Sequence, residues 1–124
     1  MNKKAWGLSC AFDFNGANKD KISNPEIVKQ YIKELCDEIN MKMYGETWIE
    51  KFASHDEKLY GITVLQAIET SSITAHFAEN IGEIYLDVFS CAEYDPNKVL
   101  EFTNTFFECK KGIVISNCDR GTSF

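Results

Sequence analysis

Ser71, His76 and Cys91 are the side chains in this sequence whose types and spacing suit chemistry. A hydroxyl, an imidazole and a thiol can supply a nucleophile, a base and an acid. They lie in a stretch from Glu69 to Cys91 made of two alternating runs around a short Gly-containing turn at Ala78–Gly82. That pattern predicts a β-hairpin with one buried face. In its first strand Ser72, Thr74 and His76 share one parity, and Ile73, Ala75 and Phe77 share the other. His76 is thus expected on the polar face of a strand whose opposite face is core. In the second strand Asp87, Phe89 and Cys91 share a parity. A tight hairpin brings Cys91 back beside Ser71, so the three can cluster if Ser71 sits at a kink or strand end. The same residues also fit plainer roles. A strand His is often a hydrogen-bonded surface residue, a Cys at a strand end packs, and Ser-Ser marks a turn or an edge. No hydrolase or metal-binding motif accompanies them, and His55 lies in a polar loop where solvation is its ordinary state.

The elements that must position this stretch follow from patterning. Residues 5–14 alternate, with Trp6, Leu8, Cys10, Phe12 and Phe14 on one expected face. Asn15 to Lys21 reads as a polar loop. Ser23-Asn24-Pro25-Glu26 is a helix start with Ser or Asn as its cap, and Ile27, Val28, Tyr31, Ile32, Leu35, Cys36 and Ile39 form one stripe at helical spacing, ending near Asn40. Tyr44-Gly45 reads as a turn, Thr47–Phe52 as a strand and Tyr60–Ile68 as another. Asp95-Pro96 repeats the helix start, with Val99, Phe102, Thr103 and Phe106 buried and Gly112 beyond the end. Ile113–Ile115 make a last strand before a polar tail. Two helices with one apolar stripe each must cover one face of a mostly antiparallel sheet. The expected fold is a two-layer α+β sandwich forming one domain over residues 1–124. The other sheet face is also partly apolar, so a second subunit is expected against it, a homodimer before larger assemblies.

Composition narrows the partners. With 44% apolar and 13% aromatic residues, the 124-residue chain can bury a modest core. Its net charge is −6 and its lysines are scattered, which argues against nucleic acid and suits a small cationic ligand. Neither a leader-type apolar run nor a membrane-spanning segment is visible, so a cytoplasmic protein is expected, with no membrane partner. The cysteines at 10, 36, 91, 109 and 118 are odd in number and lack a C-x-x-C pair. Metal binding and a disulfide framework are not expected.

Residues 60–96 resemble the prokaryotic S-adenosylmethionine decarboxylase family. Members of that family have an apolar strand ending in Ser, a His five residues on, and a Gly-containing turn. A strand ending Asp-hydrophobic-aromatic-Thr/Ser-Cys and an Asp-Pro helix start follow. Here these are Ser71, His76, Gly82, Asp87-Val88-Phe89-Ser90-Cys91 and Asp95-Pro96. Departures lie beside them. Thr70 stands where Glu is common, Ser72 where bacterial members carry His, and Thr63 where a Ser is usual. Phe77-Ala78-Glu79-Asn80 replaces an aromatic-Pro-Glu segment that helps hold adenosine.

The resemblance implies a self-processing enzyme of polyamine (spermidine) synthesis. Ser71 would attack the carbonyl of Thr70, His76 would help remove the Ser71 α-proton, and cleavage at Thr70–Ser71 would leave a pyruvoyl cofactor derived from Ser71. The substrate amine would form a Schiff base there, and Cys91 would protonate the carbanion left by decarboxylation. Phe52, Tyr60 and Phe77 are candidates to stack on a base, and Glu79 to accept ribose hydroxyls. Two other readings fit the same fold. One is a relative without a pyruvoyl group that binds or cleaves S-adenosylmethionine or a related adenosyl sulfonium, with Glu69 and Asp87 as its carboxylates. The other is a pyruvoyl enzyme decarboxylating arginine or ornithine.

Overall fold

The computed structural model describes residues 4–122 and 124. The described chain runs β1 (Gly7–Asn15), α1 (Lys19–Ile22), α2 (Pro25–Glu38), β2 (Met43–Phe52), β3 (Gly61–Ile68), β4 (Ser71–Ala78), β5 (Glu83–Ser90), α3 (Pro96–Phe106) and β6 (Lys111–Arg120). The strands form one six-stranded sheet in the order β2-β3-β4-β5-β1-β6, and every neighbouring pair is antiparallel. This is the expected α+β architecture, with the helices on one sheet face.

The two long helices start where their caps predict. The Asn24 side chain accepts from the Glu26 and Ile27 amides, and that of Asp95 from the Asn97 amide, each followed by Pro at the first helical position. The α2 stripe Val28, Tyr31, Ile32, Leu35 and Cys36 is buried, as are Val99 and Thr103 of α3. Beneath the helices lie alternate residues of the central strands: Leu8, Cys10, Phe12 and Phe14; Ile62 and Val64; Ile73, Ala75 and Phe77; Ile84, Leu86 and Val88. Tyr31 anchors this layer. Its hydroxyl meets Thr103 Oγ1 at 2.6 Å, and its ring packs on Phe77, Phe102, Phe106 and Phe107.

Four local expectations fail, each for a physical reason. The loop after β1 contains the short helix α1, capped by Asn18 and seated by the fully buried Ile22. Tyr44-Gly45 does not end a strand. It forms an irregularity inside β2, where the register passes from Tyr44↔Ala67 to Trp48↔Leu65 and Gly45 takes φ +71°. The last strand is ten residues long, not three. Its alternation is broken where the pairing with β1 shifts at Ala11/Phe12. Trp6 leaves the core-facing set because the strand begins only at Gly7; its ring packs on Phe89 of the opposite face, centroids 5.9 Å apart.

Candidate active site

Glu69 and Thr70 are the two central residues of the β3–β4 hairpin, closed by the pair Ile68↔Ser71. Two-residue hairpin loops normally place positive φ within the loop, at Gly or Asn. Glu and Thr are neither, and the positive φ falls instead on the next residue, Ser71, at +152°. A residue carrying a Cβ rarely adopts this conformation, which stores on the order of 1–3 kcal/mol. The strained residue therefore follows the Thr70–Ser71 peptide directly.

The peptide is held on its carbonyl side. The Cys91 amide donates to Thr70 O at 2.9 Å, just past the end of β5. Cys91 thus stands beside Ser71, as expected of the hairpin, with its thiol free and partly exposed. A close strand approach allows this. A Cβ on Gly7 of β1 would come within 2.8 Å of Ser90 O and 3.3 Å of the Cys91 Cα.

His76 is elsewhere. The β4–β5 register runs without a break from Ser71↔Ser90 to Ala78↔Glu83. Five strand steps from Ser71 therefore put His76 roughly 16 Å away. The expected three-way cluster does not form within one chain: the backbones of Ser71 and Cys91 are neighbours, and His76 does not join them. His76 instead pairs across the sheet with Thr63, whose hydroxyl lies 3.0 Å from its Nδ1, while its Nε2 donates to Leu59 O at 2.7 Å. A carbonyl only accepts, so the neutral ring carries its proton on Nε2 and offers Nδ1 to the Thr63 hydroxyl.

The other candidates separate by face. Phe52 lies on the open sheet face of β2, half-exposed and stacked on Trp48 at 5.8 Å. Glu69 is in the turn, its carboxylate 3.4 Å from Lys42 Nζ. Tyr60 and Glu79 both engage Lys51, which lies 5.5 Å over the Tyr60 ring and 2.9 Å from Glu79 Oε1. Lys51 pairs with the buried Ile62, so this cluster belongs to the helix-covered side. Phe77 corrects the expectation of a stacking platform. It is fully buried against Tyr31 and Phe107, as its parity with Ile73 and Ala75 requires.

A groove that patterning did not single out lies on the open face at Phe89. It encloses about 650 Å³ and is lined by Trp6, Phe89, Arg120 and Phe124, among others. The Arg120 guanidinium, from the only arginine in the chain, sits 5.0 Å over the Phe89 ring. Phe89 is two residues before Cys91 on the same face, so the parity of Asp87, Phe89 and Cys91 was the available signal.

A strained serine and a carbonyl-holding amide flank the Thr70–Ser71 bond, and the amide belongs to Cys91. The family model described as S-adenosylmethionine decarboxylase matches residues 8–121, and the chain belongs to that family. Among relatives, the S-adenosylmethionine decarboxylase proenzyme of Clostridium botulinum is 27% identical over 97 residues, covering 77% of this chain and 78% of the relative. The proenzyme of that name from Thermotoga petrophila is 24% identical over 119 residues, covering 95% and 86%. The crystal structure of the adenosylmethionine decarboxylase from Aquifex aeolicus superposes with a TM-score of 0.77 at 21% identity, over 95% of this chain and 92% of that one. The fold is therefore that of the family.

Proposed function

We propose that this chain is a self-processing S-adenosylmethionine decarboxylase that cleaves itself at Thr70–Ser71. The observation that carries this reading is the Thr70 carbonyl, bonded at 2.9 Å by the Cys91 amide and followed by a strained Ser71. Attack by Ser71 Oγ on that carbonyl puts negative charge on its oxygen, where the amide already points. The carbon–nitrogen bond then breaks, the hydroxyl proton ends on the freed Ser71 amine, and an ester remains. Removal of the Ser71 α-proton expels the Thr70 carboxylate and leaves an aminoacryloyl group. Its tautomerisation and hydrolysis release ammonia and give a pyruvoyl group. That group supplies the ketone that a polypeptide lacks, an electron sink for loss of carbon dioxide from an amino acid. The Cys91 thiol stands beside it to return a proton to carbon. The groove of Trp6, Phe89 and Arg120, two residues along the chain from Cys91, is the place assigned to the rest of the substrate.

The distance between Ser71 and His76 bears on assembly. Trp48, Phe52, Leu65 and Tyr85 are exposed on the open sheet face, a surface that suits a second copy. A two-fold contact antiparallel along β4 brings His76 of the partner subunit to Ser71, with two composite sites per homodimer. The five free thiols suit a reducing compartment, and the cytoplasm is the proposed location. The decarboxylated product serves polyamine synthesis.

Intact-mass measurement tests the processing. The wild-type chain is expected as two fragments divided at Thr70–Ser71, and Ser71→Ala as one uncut chain. Carbon dioxide release from S-adenosylmethionine is expected only from the cut protein. An uncut wild-type chain after long incubation would overturn the reading. Mixing Ser71→Ala with His76→Ala chains tests the composite site: the His76→Ala chain is expected to be cut only in the mixture.

A further inference from the structure

Ser90 breaks the pattern of its strand. The inward positions of β5 before it are Ile84, Leu86 and Val88, all core, and a fourth apolar residue would extend that row. A hydroxyl stands there instead, with 0% of the residue exposed. A buried hydroxyl is tolerated only when it is hydrogen-bonded, and the partners of this one surround the Thr70–Ser71 bond. Ser90 Oγ lies 2.7 Å from Thr70 Oγ1 and accepts from the Ala92 amide at 3.0 Å. Met41 Sδ lies 3.4 Å from both hydroxyl oxygens. In register, Ser90 is the direct partner of Ser71.

We propose that Ser90 is the positioning residue for self-cleavage: its hydroxyl clamps the Thr70 side chain so that the Thr70 carbonyl stays on the Cys91 amide. The inference rests on the processing reading above. Consecutive residues grip Thr70 from two directions, Ser90 by the side chain and Cys91 by the carbonyl. Thr70 sits in a two-residue turn, where one hydrogen bond alone leaves the peptide plane free to rock. Two fix it, and a fixed plane keeps both the attack distance of Ser71 Oγ and the donor geometry at the developing oxyanion. The step assisted is the shift from amide to ester. The Ser71 Oγ–carbonyl carbon bond forms, the carbon–nitrogen bond breaks, and the proton passes from oxygen to nitrogen. Ser90 exchanges no proton with the reacting atoms. The clamp also gives Thr70 a role: its hydroxyl is what Ser90 can grip.

Cleavage rate with and without hydroxylamine is the test, since hydroxylamine cuts an ester and leaves an amide intact. Ser90→Ala is expected to slow first-order chain cleavage about tenfold or more, as loss of alignment at an oxyanion donor does. Hydroxylamine is expected not to restore it, because ester formation is itself the slowed step. In His76→Ala the ester forms and persists, so hydroxylamine is expected to cut that chain. Thr70→Val removes the other half of the clamp at a half-buried site, and is expected to match Ser90→Ala. Thr70→Ser keeps the hydroxyl and is expected to cleave faster than Thr70→Val. The double variant is expected to be no slower than either single one. Thermal melting verifies folding, and if Ser90→Ala does not fold, Thr70→Val against Thr70→Ser carries the test. Cleavage of Ser90→Ala and Thr70→Val at the wild-type rate, or full rescue of either by hydroxylamine, overturns the clamp while the processing reading stands. Failure of the wild-type chain to cleave overturns both.

Discussion

The two ends of β4 are built on opposite plans. At the Ser71 end the backbone departs from strand geometry, the buried Ser90 hydroxyl bonds that of Thr70 in the turn, and the Thr70 carbonyl meets the Cys91 amide. At the His76 end the strand is regular and the chemistry is in a side chain, an imidazole bonded through both nitrogens to Thr63 and Leu59. On the proposed reading, the first end undergoes a change in the chain itself and the second handles a proton. About 16 Å of strand separates them.

Cys91 offers the sharpest way to break this comparison, because it serves the Ser71 end twice by different atoms. Its amide holds the Thr70 carbonyl and survives substitution, whereas its thiol does not. Cys91→Ala is expected to cleave itself within a few-fold of wild type, yet to lose about 10²–10⁴-fold in carbon dioxide release from S-adenosylmethionine. Equal losses in both assays would mean that Cys91 acts through folding. At the other end, Thr63→Val keeps the shape of its side chain and removes only the hydroxyl at His76 Nδ1. Self-cleavage is expected to slow by about tenfold, less than the roughly 10²-fold lower end of acid–base assistance because His76 itself remains, and Thr63→Ser to restore it. An unchanged Thr63→Val would mean that His76 acts without its neighbour.

The sequence made some of this legible and hid the rest. β1, β5, α2 and α3 follow apolar periodicity, and the core beneath them is largely the one that periodicity names, except that Trp6 is exposed and Phe107 rather than Phe102 or Phe106 is fully buried. The adjacency of Ser71 and Cys91 follows from hairpin register. The remoteness of His76 was available by counting strand steps, but only once β4 was known to run unbroken from Ser71. α1 was hidden because four residues carry too little period, and most of β6 because a polar edge strand with a register shift does not alternate. The clamp was hidden for another reason. Nothing in the run Phe89-Ser90-Cys91 tells a buried, bonded hydroxyl from a strand-end serine until Thr70 is seen opposite it.

Smaller effects sharpen the account of the Ser71 end. Ser71→Gly and Ser71→Ala both lack the nucleophile and remain uncut, so their stabilities compare directly. Glycine has no Cβ to oppose φ +152°, whereas alanine keeps the conflict. In urea unfolding Ser71→Gly is expected to be the more stable by about 1–3 kcal/mol. The reverse order would mean that the turn is unstrained and that processing draws nothing from the backbone.

The smallest effect is expected on the outside of the same turn. Glu69 meets Lys42 twice: by an exposed ion pair at 3.4 Å and by its amide, which donates to Lys42 O at 2.9 Å. Lys42→Ala removes the first contact and keeps the second. An exposed pair is screened and is worth under about 1 kcal/mol. The variant is expected to unfold within that margin of wild type, with a difference that fades as salt is raised, and to cleave at the wild-type rate. Slower cleavage that salt reproduces in the wild-type protein would place the hold on this turn in its surface charges. Unchanged cleavage leaves that hold where the backbone and the buried hydroxyls put it.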